Sequence, residues 1–165
     1  MSLKRTRIGR TDLKVPAICF GMAPLGDMPD TYGHVTAEDE ARATIRAAFS
    51  SPFPFIDTSR NYGMGKSEAR VGAVIRELEG VPADAVISTK LDRDADNRFT
   101  RSQARRSLEQ SFEALSVDRV DILHVHDPEH CASVDEVRRE AIPELFRRRR
   151  RACARPSASP PAMST

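Results

Sequence analysis

The sequence predicts an α/β protein whose strands run parallel. Three observations carry that prediction. Four short apolar runs lie along the chain, at 15–21, 53–57, 85–89 and 120–125. Each is followed by a segment whose apolar residues recur at helical spacing. The units repeat at roughly thirty-odd residues, the length of a strand–helix–strand crossover. Two architectures satisfy this alternation. A doubly wound open sheet needs only a chain of this length. A closed eight-fold barrel needs about 250 residues, and this chain would hold its first four units.

Taken in order, residues 4–14 read as two short extended pieces around a turn at Gly9, Arg10, Thr11 and Asp12. The first apolar run ends in Gly21, and a loop rich in Gly, Pro and Asp fills 22–35. Thr36 to Asp39 form a capping-box pattern, with Thr36 as N-cap and Asp39 in place of the usual Glu. The helix it opens shows Ala41, Ile45, Ala48 and Phe49 on one face. The second run contains Pro54, which cannot donate to a strand ladder, and ends in Asp57. A second helix is predicted over 67–79, with Val71, Val74, Ile75 and Leu78 on its apolar face. The third run, 85–89, is followed by a charged loop. Thr100 and Gln103 then mark a second capping box, opening a helix with Ala104, Leu108, Phe112 and Leu115 at helical spacing. A last helix is predicted over 134–146, kinked or shortened by Pro143.

With 39% apolar and 30% charged residues, the 165-residue chain has enough apolar material for one domain core. No apolar run approaches the length of a membrane span. Met1, Ser2, Leu3, Lys4 and Arg5 are not followed by the apolar stretch of a signal peptide. Cys19, Cys131 and Cys153 form neither a metal spacing nor an even disulfide set, so a reducing cytoplasm is expected. The net charge of +2 misleads. Six arginines lie in 147–165 with no acid beside them, and the rest of the chain holds 20 basic against 24 acidic residues.

The candidate functional residues stand at or just past the ends of the apolar runs. Asp57 closes the second run, and Tyr62 follows in the loop Thr58-Ser59-Arg60-Asn61. Lys90 ends the third run and His126 the fourth. In a barrel of this kind the C-terminal strand ends face the active site. A free tyrosine, with a pKa of about 10, is a poor proton donor at neutral pH. A nearby Lys90 ammonium would lower it, and Asp57 would keep that ammonium charged and in place. His126 would donate a hydrogen bond to a carbonyl oxygen. Taken singly, each residue has a plainer reading: Tyr62 a loop phenol, Asp57 a cap, Lys90 an exposed lysine. His124 and His126 share a strand face, and with Asp127 and His130 nearby they resemble the His-x-His of barrel metallohydrolases. The favoured reading has no metal, with His124 as a buried residue of the barrel interior. The arginine run 147–151 lacks the interleaved aromatics of a nucleic-acid patch, and no nucleic-acid partner is expected.

Over about 3–146 the chain resembles the aldo-keto reductases. The matching pieces are Gly9-Arg10-Thr11, Gly21, Phe55-Ile56-Asp57-Thr58-Ser59 with Tyr62-Gly63, Ser67-Glu68 and Val71-Gly72. Ser88-Thr89-Lys90-Leu91, Arg106-Ser107-Leu108-Glu109, Asp118-Arg119-Val120-Asp121-Ile122-Leu123, His126 and Pro128 continue the match. Asp57, Tyr62, Lys90 and His126 fall in order on the family's catalytic tetrad. The resemblance implies a (β/α)8 TIM barrel, of which this chain carries about the first four units. It also implies hydride transfer between NADP or NAD and an aldehyde, ketone or sugar, with Gly21, Met22, Ala23 and Asp57 touching the cofactor. His126-Asp127-Pro128 and Arg60-Asn61-Tyr62 look most like the branch that oxidises aldose, fucose and galactose. The family's potassium-channel β-subunits imply an alternative, a non-catalytic regulatory role.

After Phe146 helical periodicity stops, and no fifth strand follows. Residues 147–165 are expected to be a disordered tail or the product of a reading-frame shift. Starting each codon one base earlier lets 156–165 read as an apolar strand ending in a polar turn. The chain alone is then expected to be truncated and inactive. Ile18, Phe20, Phe55, Ile87, Ile122 and His124 would face a barrel interior without opposite strands.

Overall fold

The computed structural model describes residues 4–153, with side chains through Arg147. Strands β1 (Arg5–Arg7) and β2 (Lys14–Pro16) pair antiparallel, Thr6 opposite Val15. Arg5 ties this hairpin to the N-terminal end of the sheet by a 2.7 Å bond to the carbonyl of Asp84.

The sheet itself has four parallel strands in chain order: β3 (Phe20–Gly21), β4 (Phe55–Asp57), β5 (Val86–Leu91) and β6 (Ile122–Val125). The first apolar run is split, because Val15 and Pro16 belong to the hairpin and only Phe20 and Gly21 reach the sheet. Pro54 lies just outside β4, where its carbonyl still accepts from the Val86 amide at 2.8 Å. Strand β5 runs two residues past its predicted end, so Lys90 sits inside a strand rather than after one.

One face of the sheet carries the core. Phe20, Ile56 and Ile87 pack with Met22, Ile45, Phe49, Val71, Val74, Ile75 and Leu115, under α2 (Glu38–Phe49) and α3 (Lys66–Glu77). Leu91, Leu123 and Val125 form a second cluster with Phe99, Leu108, Val137 and Ala141, under α4 (Arg101–Leu115) and the last helix. Each large side chain so buried contributes about 1.5–3 kcal/mol. The 22–35 loop contains a 3-10 turn, Pro24–Gly26, and one helical turn, α1 (Pro29–Tyr32). It is clamped by the buried Arg70, which bonds to Glu38 (2.7 Å) and to the carbonyls of Leu25 (2.6 Å) and Thr36 (3.1 Å).

The two predicted caps fare differently. Thr100 caps α4 as expected, accepting from the Gln103 amide at 3.2 Å. Thr36 does not cap α2. Its hydroxyl is drawn to the Pro24 carbonyl (3.1 Å), Ala37 takes the N-cap position, and Glu38, Asp39 and Glu40 offset the positive helix end instead. The last helix is longer than predicted. It begins as α5 (Val134–Glu136), widens into a π turn over Val137–Ala141 and continues as α6 (Ile142–Cys153). Proline lacks an amide and its ring crowds the carbonyl one turn back, so the widened turn just before Pro143 lets the helix pass it unbroken. Apart from this helical backbone to Cys153, the reading-frame reading of 147–165 lies outside the described residues.

The other face carries Gly21, Phe55, Asp57, Ser88, Lys90 and His124, in the rows Gly21–Asp57–Ser88–Ile122 and Lys90–His124. Two expectations are corrected here. Phe20 and Ile87 point to the helices, one residue out of register with the open face. His124 is exposed rather than buried, since no described residues cover this face.

Candidate active site

The sheet register assembles the site. Asp57 ends β4 beside Ser88, and Lys90 stands two residues further along β5 on the same face. The Lys90 ammonium donates to Asp57 Oδ2 at 2.5 Å and to the Thr58 carbonyl at 3.0 Å. The Ser88 hydroxyl donates to Asp57 Oδ1 at 2.7 Å, so both carboxylate oxygens are engaged. Burial alone would lower the Lys90 pKa. Hydrogen bonding and charge from Asp57 and from the Tyr62 phenol outweigh it and hold Lys90 above its ordinary 10.5.

Tyr62 opens the short turn Tyr62–Gly65, with its ring centroid 4.8 Å from the Lys90 nitrogen. Its ring meets that of His126 edge-on, centroids 5.6 Å apart and planes at 90°. Two glycines allow this placement. Gly63 has φ 61°, and a Cβ there would lie 1.7 Å from the Gly26 carbonyl oxygen. A Cβ on Gly26 would in turn meet the Tyr62 carbonyl carbon at 2.8 Å.

His126 leaves the end of β6, its amide bonded to the Leu91 carbonyl at 3.0 Å. Only 8% exposed, it sets Nδ1 2.5 Å from Oδ1 of Asp92, itself 4% exposed. The Ser59 hydroxyl lies 3.1 Å from the same nitrogen and within 3.4 Å of both Asp92 oxygens. Asp92 is fixed by α4: its amide donates to the Ser107 hydroxyl (2.9 Å) and its carbonyl accepts from the Gln103 side chain (3.0 Å).

Asp57, Tyr62, Lys90 and His126 are therefore brought together as the sequence predicts. Ser59, Ser88 and Asp92 were missed. Strand alternation from Ser88 through Lys90 to Asp92 is the signal that would have found the last. Of the residues expected to touch a cofactor, Gly21 faces the open side, with nothing within 4 Å of where a Cβ would stand. Met22 turns the other way. Its side chain is in the core, its amide bonds to the Asp57 carbonyl (2.8 Å) and its carbonyl accepts from Ser67 (2.8 Å). Ala23 leads into the 3-10 turn.

A groove of about 550 Å3 runs along this face, lined by Gly21, Asp57, Lys90, His124 and His126. Cys19 also borders it. Crowding around the thiol, and next the Asp57 carboxylate, push it up to about 11 against the pull of Lys90, so it stays protonated. A larger cavity of about 730 Å3 lies at the hairpin end, far from the tetrad and bordered by Arg5, Asp118 and Arg119. Among the described residues no three His, Cys, Asp or Glu side chains are grouped to hold a metal, and His126 Nδ1 is taken by Asp92. No helix of the described residues is long and apolar enough to cross a membrane.

This fold is that of a known protein family. The chain belongs to the aldo/keto reductase family, whose model matches residues 17–146. It is 41% identical over 139 residues to the L-galactose dehydrogenase of Arabidopsis thaliana, covering 84% of this chain and 42% of that protein. It is 32% identical over 155 residues to the D-threo-aldose 1-dehydrogenase of a Pseudomonas species, covering 78% of this chain and 45% of that protein. Among solved structures, a Bombyx mori aldo-keto reductase in complex with NADP superposes with a TM-score of 0.69 at 20% identity, over 92% of this chain and 48% of that one. The fold is thus that of the N-terminal part of a (β/α)8 barrel. The chain spans less than half the length of these relatives.

Proposed function

We propose that these residues form the proton-handling side of a nicotinamide-dependent oxidoreductase site that acts on an aldehyde, ketone or, in preference, an aldose. The observation that carries this reading is the Lys90 ammonium, 2.5 Å from Asp57 and 4.8 Å from the Tyr62 ring centroid. A cation held at that position stabilises negative charge that develops on the Tyr62 oxygen or on the substrate oxygen during proton transfer. Asp57, anchored by Ser88, keeps the cation in place. Tyr62 gives its proton to the nascent alkoxide in reduction and takes it from the hydroxyl in oxidation. The aldose preference is drawn from the two sugar dehydrogenases reported above. The intact tetrad favours catalysis over a purely regulatory role.

The open face fits a nicotinamide dinucleotide. The groove offers about 550 Å3, and Gly21 leaves it unobstructed beside Asp57. Gly21, Ala23 and Asp57 would hold the cofactor there, on a loop that buried Met22 anchors, and the cofactor supplies or accepts the hydride. Residues 1–165 as a separate chain are proposed to be inactive, because no described residues cover the open face and His124 stands exposed on it.

The experiment is a chimera joining residues 1–146 to the C-terminal part of the Arabidopsis relative. It should reduce NAD(P)+ in the presence of L-galactose. A folded chimera without sugar-dependent reduction would overturn the reading.

A further inference from the structure

We infer that Asp127 is a specificity-determining residue whose carboxylate accepts a hydrogen bond from the substrate hydroxyl beside the reacting carbon. This rests on the oxidoreductase reading and narrows its substrate to an uncharged molecule with a hydroxyl on the neighbouring carbon, as an aldose has and a simple aldehyde or ketone lacks.

The backbone sets this side chain at the groove. Asp127 follows His126 past the end of β6 with φ 42° and ψ 58°, the left-handed region that few residues other than glycine enter. Capping the short turn Pro128–His130 would be a plain structural reason for an aspartate here. The turn uses only the backbone, however: the Asp127 carbonyl accepts from the His130 amide at 3.0 Å, and the side chain makes no cap bond. The carboxylate borders the groove beside His126 and is 45% exposed.

Both of its oxygens are open to a ligand. Oδ1 is 3.7 Å from His126 Nε2 and Oδ2 is 3.9 Å from Arg93 Nη1, each beyond hydrogen-bond reach. Arg93 gives its Nε hydrogen to Asn97 at 2.8 Å, and its Nη1 is buried without a hydrogen-bond partner. Arg93 does not border the groove, so Asp127 is the charged group there that presents vacant lone pairs. Asp57, by contrast, has both oxygens engaged by Lys90 and Ser88. A carboxylate in this state takes a charge-assisted bond from a hydroxyl and repels a phosphate or a carboxylate.

Tyr62 and Asp127 both flank the His126 ring. A substrate whose reacting oxygen lies at Tyr62 therefore brings an oxygen of the adjacent carbon toward Asp127. Two different hydrogens are involved. The reacting hydroxyl transfers its own to Tyr62, and the neighbouring hydroxyl keeps its own while donating it to Asp127.

The test compares kcat/KM for L-galactose and its 2-deoxy analogue in the chimera, with Asp127 intact and with Asp127→Asn. Asparagine tolerates the left-handed backbone and no hydrogen bond of the Asp127 side chain is lost, so the variant should fold. We expect the intact chimera to prefer L-galactose, and Asp127→Asn to shrink that preference by about 10-fold, chiefly through slower use of L-galactose. An intact chimera that uses both sugars equally overturns the inference and needs no variant. A preference left unmoved by Asp127→Asn, including an equal loss on both sugars, overturns it as well, since that is the mark of a merely structural role. A chimera that never reduces NAD(P)+ fails the oxidoreductase reading on which this inference rests, whereas an active chimera with an unmoved preference fails this inference alone.

Discussion

Lys90 and Asp57 belong to neighbouring strands, yet the ammonium reaches diagonally back across the register to the carboxylate at 2.5 Å. Asp57 stands opposite Ser88, so Lys90 is two residues displaced from it, and only a long, flexible side chain on the same face closes that gap. Removing the ammonium leaves a partly buried carboxylate with Ser88 as its remaining side-chain partner. Lys90→Met should therefore destabilise the chain by about 1–3 kcal/mol. The pH dependence has a definite sign. The folded Lys90 pKa lies above its ordinary 10.5, so the contribution is complete below 10.5 and is lost as pH rises through the higher folded value. Thermal melts of the two proteins should differ at neutral pH and converge in strong alkali. A difference that persists unchanged there would contradict the pairing.

Glu68 should respond in the opposite way to neutralisation. It is fully buried, with Thr89 donating to Oε1 at 2.6 Å and Oε2 without a partner. Burial raises its pKa above the ordinary 4.5, opposed first by the hydroxyl of Thr89; Asp92 adds to the rise and Arg60 opposes it. An acid with a raised folded pKa loses stability as pH rises from its unfolded value through its folded one. Glu68→Gln keeps the bond to Thr89 and gives the Ser111 oxygen a donor. It should melt higher than the parent chain at pH 8, with the advantage disappearing below pH 4. A lower melting temperature at both pH values would refute this.

Gly63→Ala should act on the site from outside it. The added methyl would stand 1.7 Å from the Gly26 carbonyl oxygen, at φ 61°, so the turn carrying Tyr62 must move. A loss of about 1–3 kcal/mol is expected, together with loss of the Tyr62–His126 ring contact. Nuclear Overhauser effects between those two rings report it. Their persistence in a stable Gly63→Ala protein would show that the turn adapts without shifting Tyr62.

Much of this was legible in the sequence because strand ends are marked by abrupt changes from apolar to polar residues. Asp57 and His126 announce themselves in that way, and Thr100 with Gln103 announces the start of α4. Asp92 does not, because it opens a run with Arg93, Asp94 and Asp96 that reads as a solvated loop. What turns it inward is the extension of β5 to Leu91 and the hydroxyl of Ser107 on α4, contacts far apart in sequence. The displaced cap at Thr36 has a similar cause: a tertiary acceptor, the Pro24 carbonyl, outcompetes the local one. The burial predicted for His124 presumed a closed barrel interior, whereas the described residues line only one side of it.

The most direct test of the central claim is the turnover of the chimera with Tyr62 intact and with Tyr62→Phe, measured as L-galactose-dependent reduction of NAD(P)+ alongside NAD(P)H binding by fluorescence. If Tyr62 is the proton-transfer group, the substitution lowers the rate by about 10²–10⁴-fold and leaves cofactor affinity nearly unchanged. Turnover in Tyr62→Phe equal to that of the parent would remove Tyr62 from the chemistry and contradict the account.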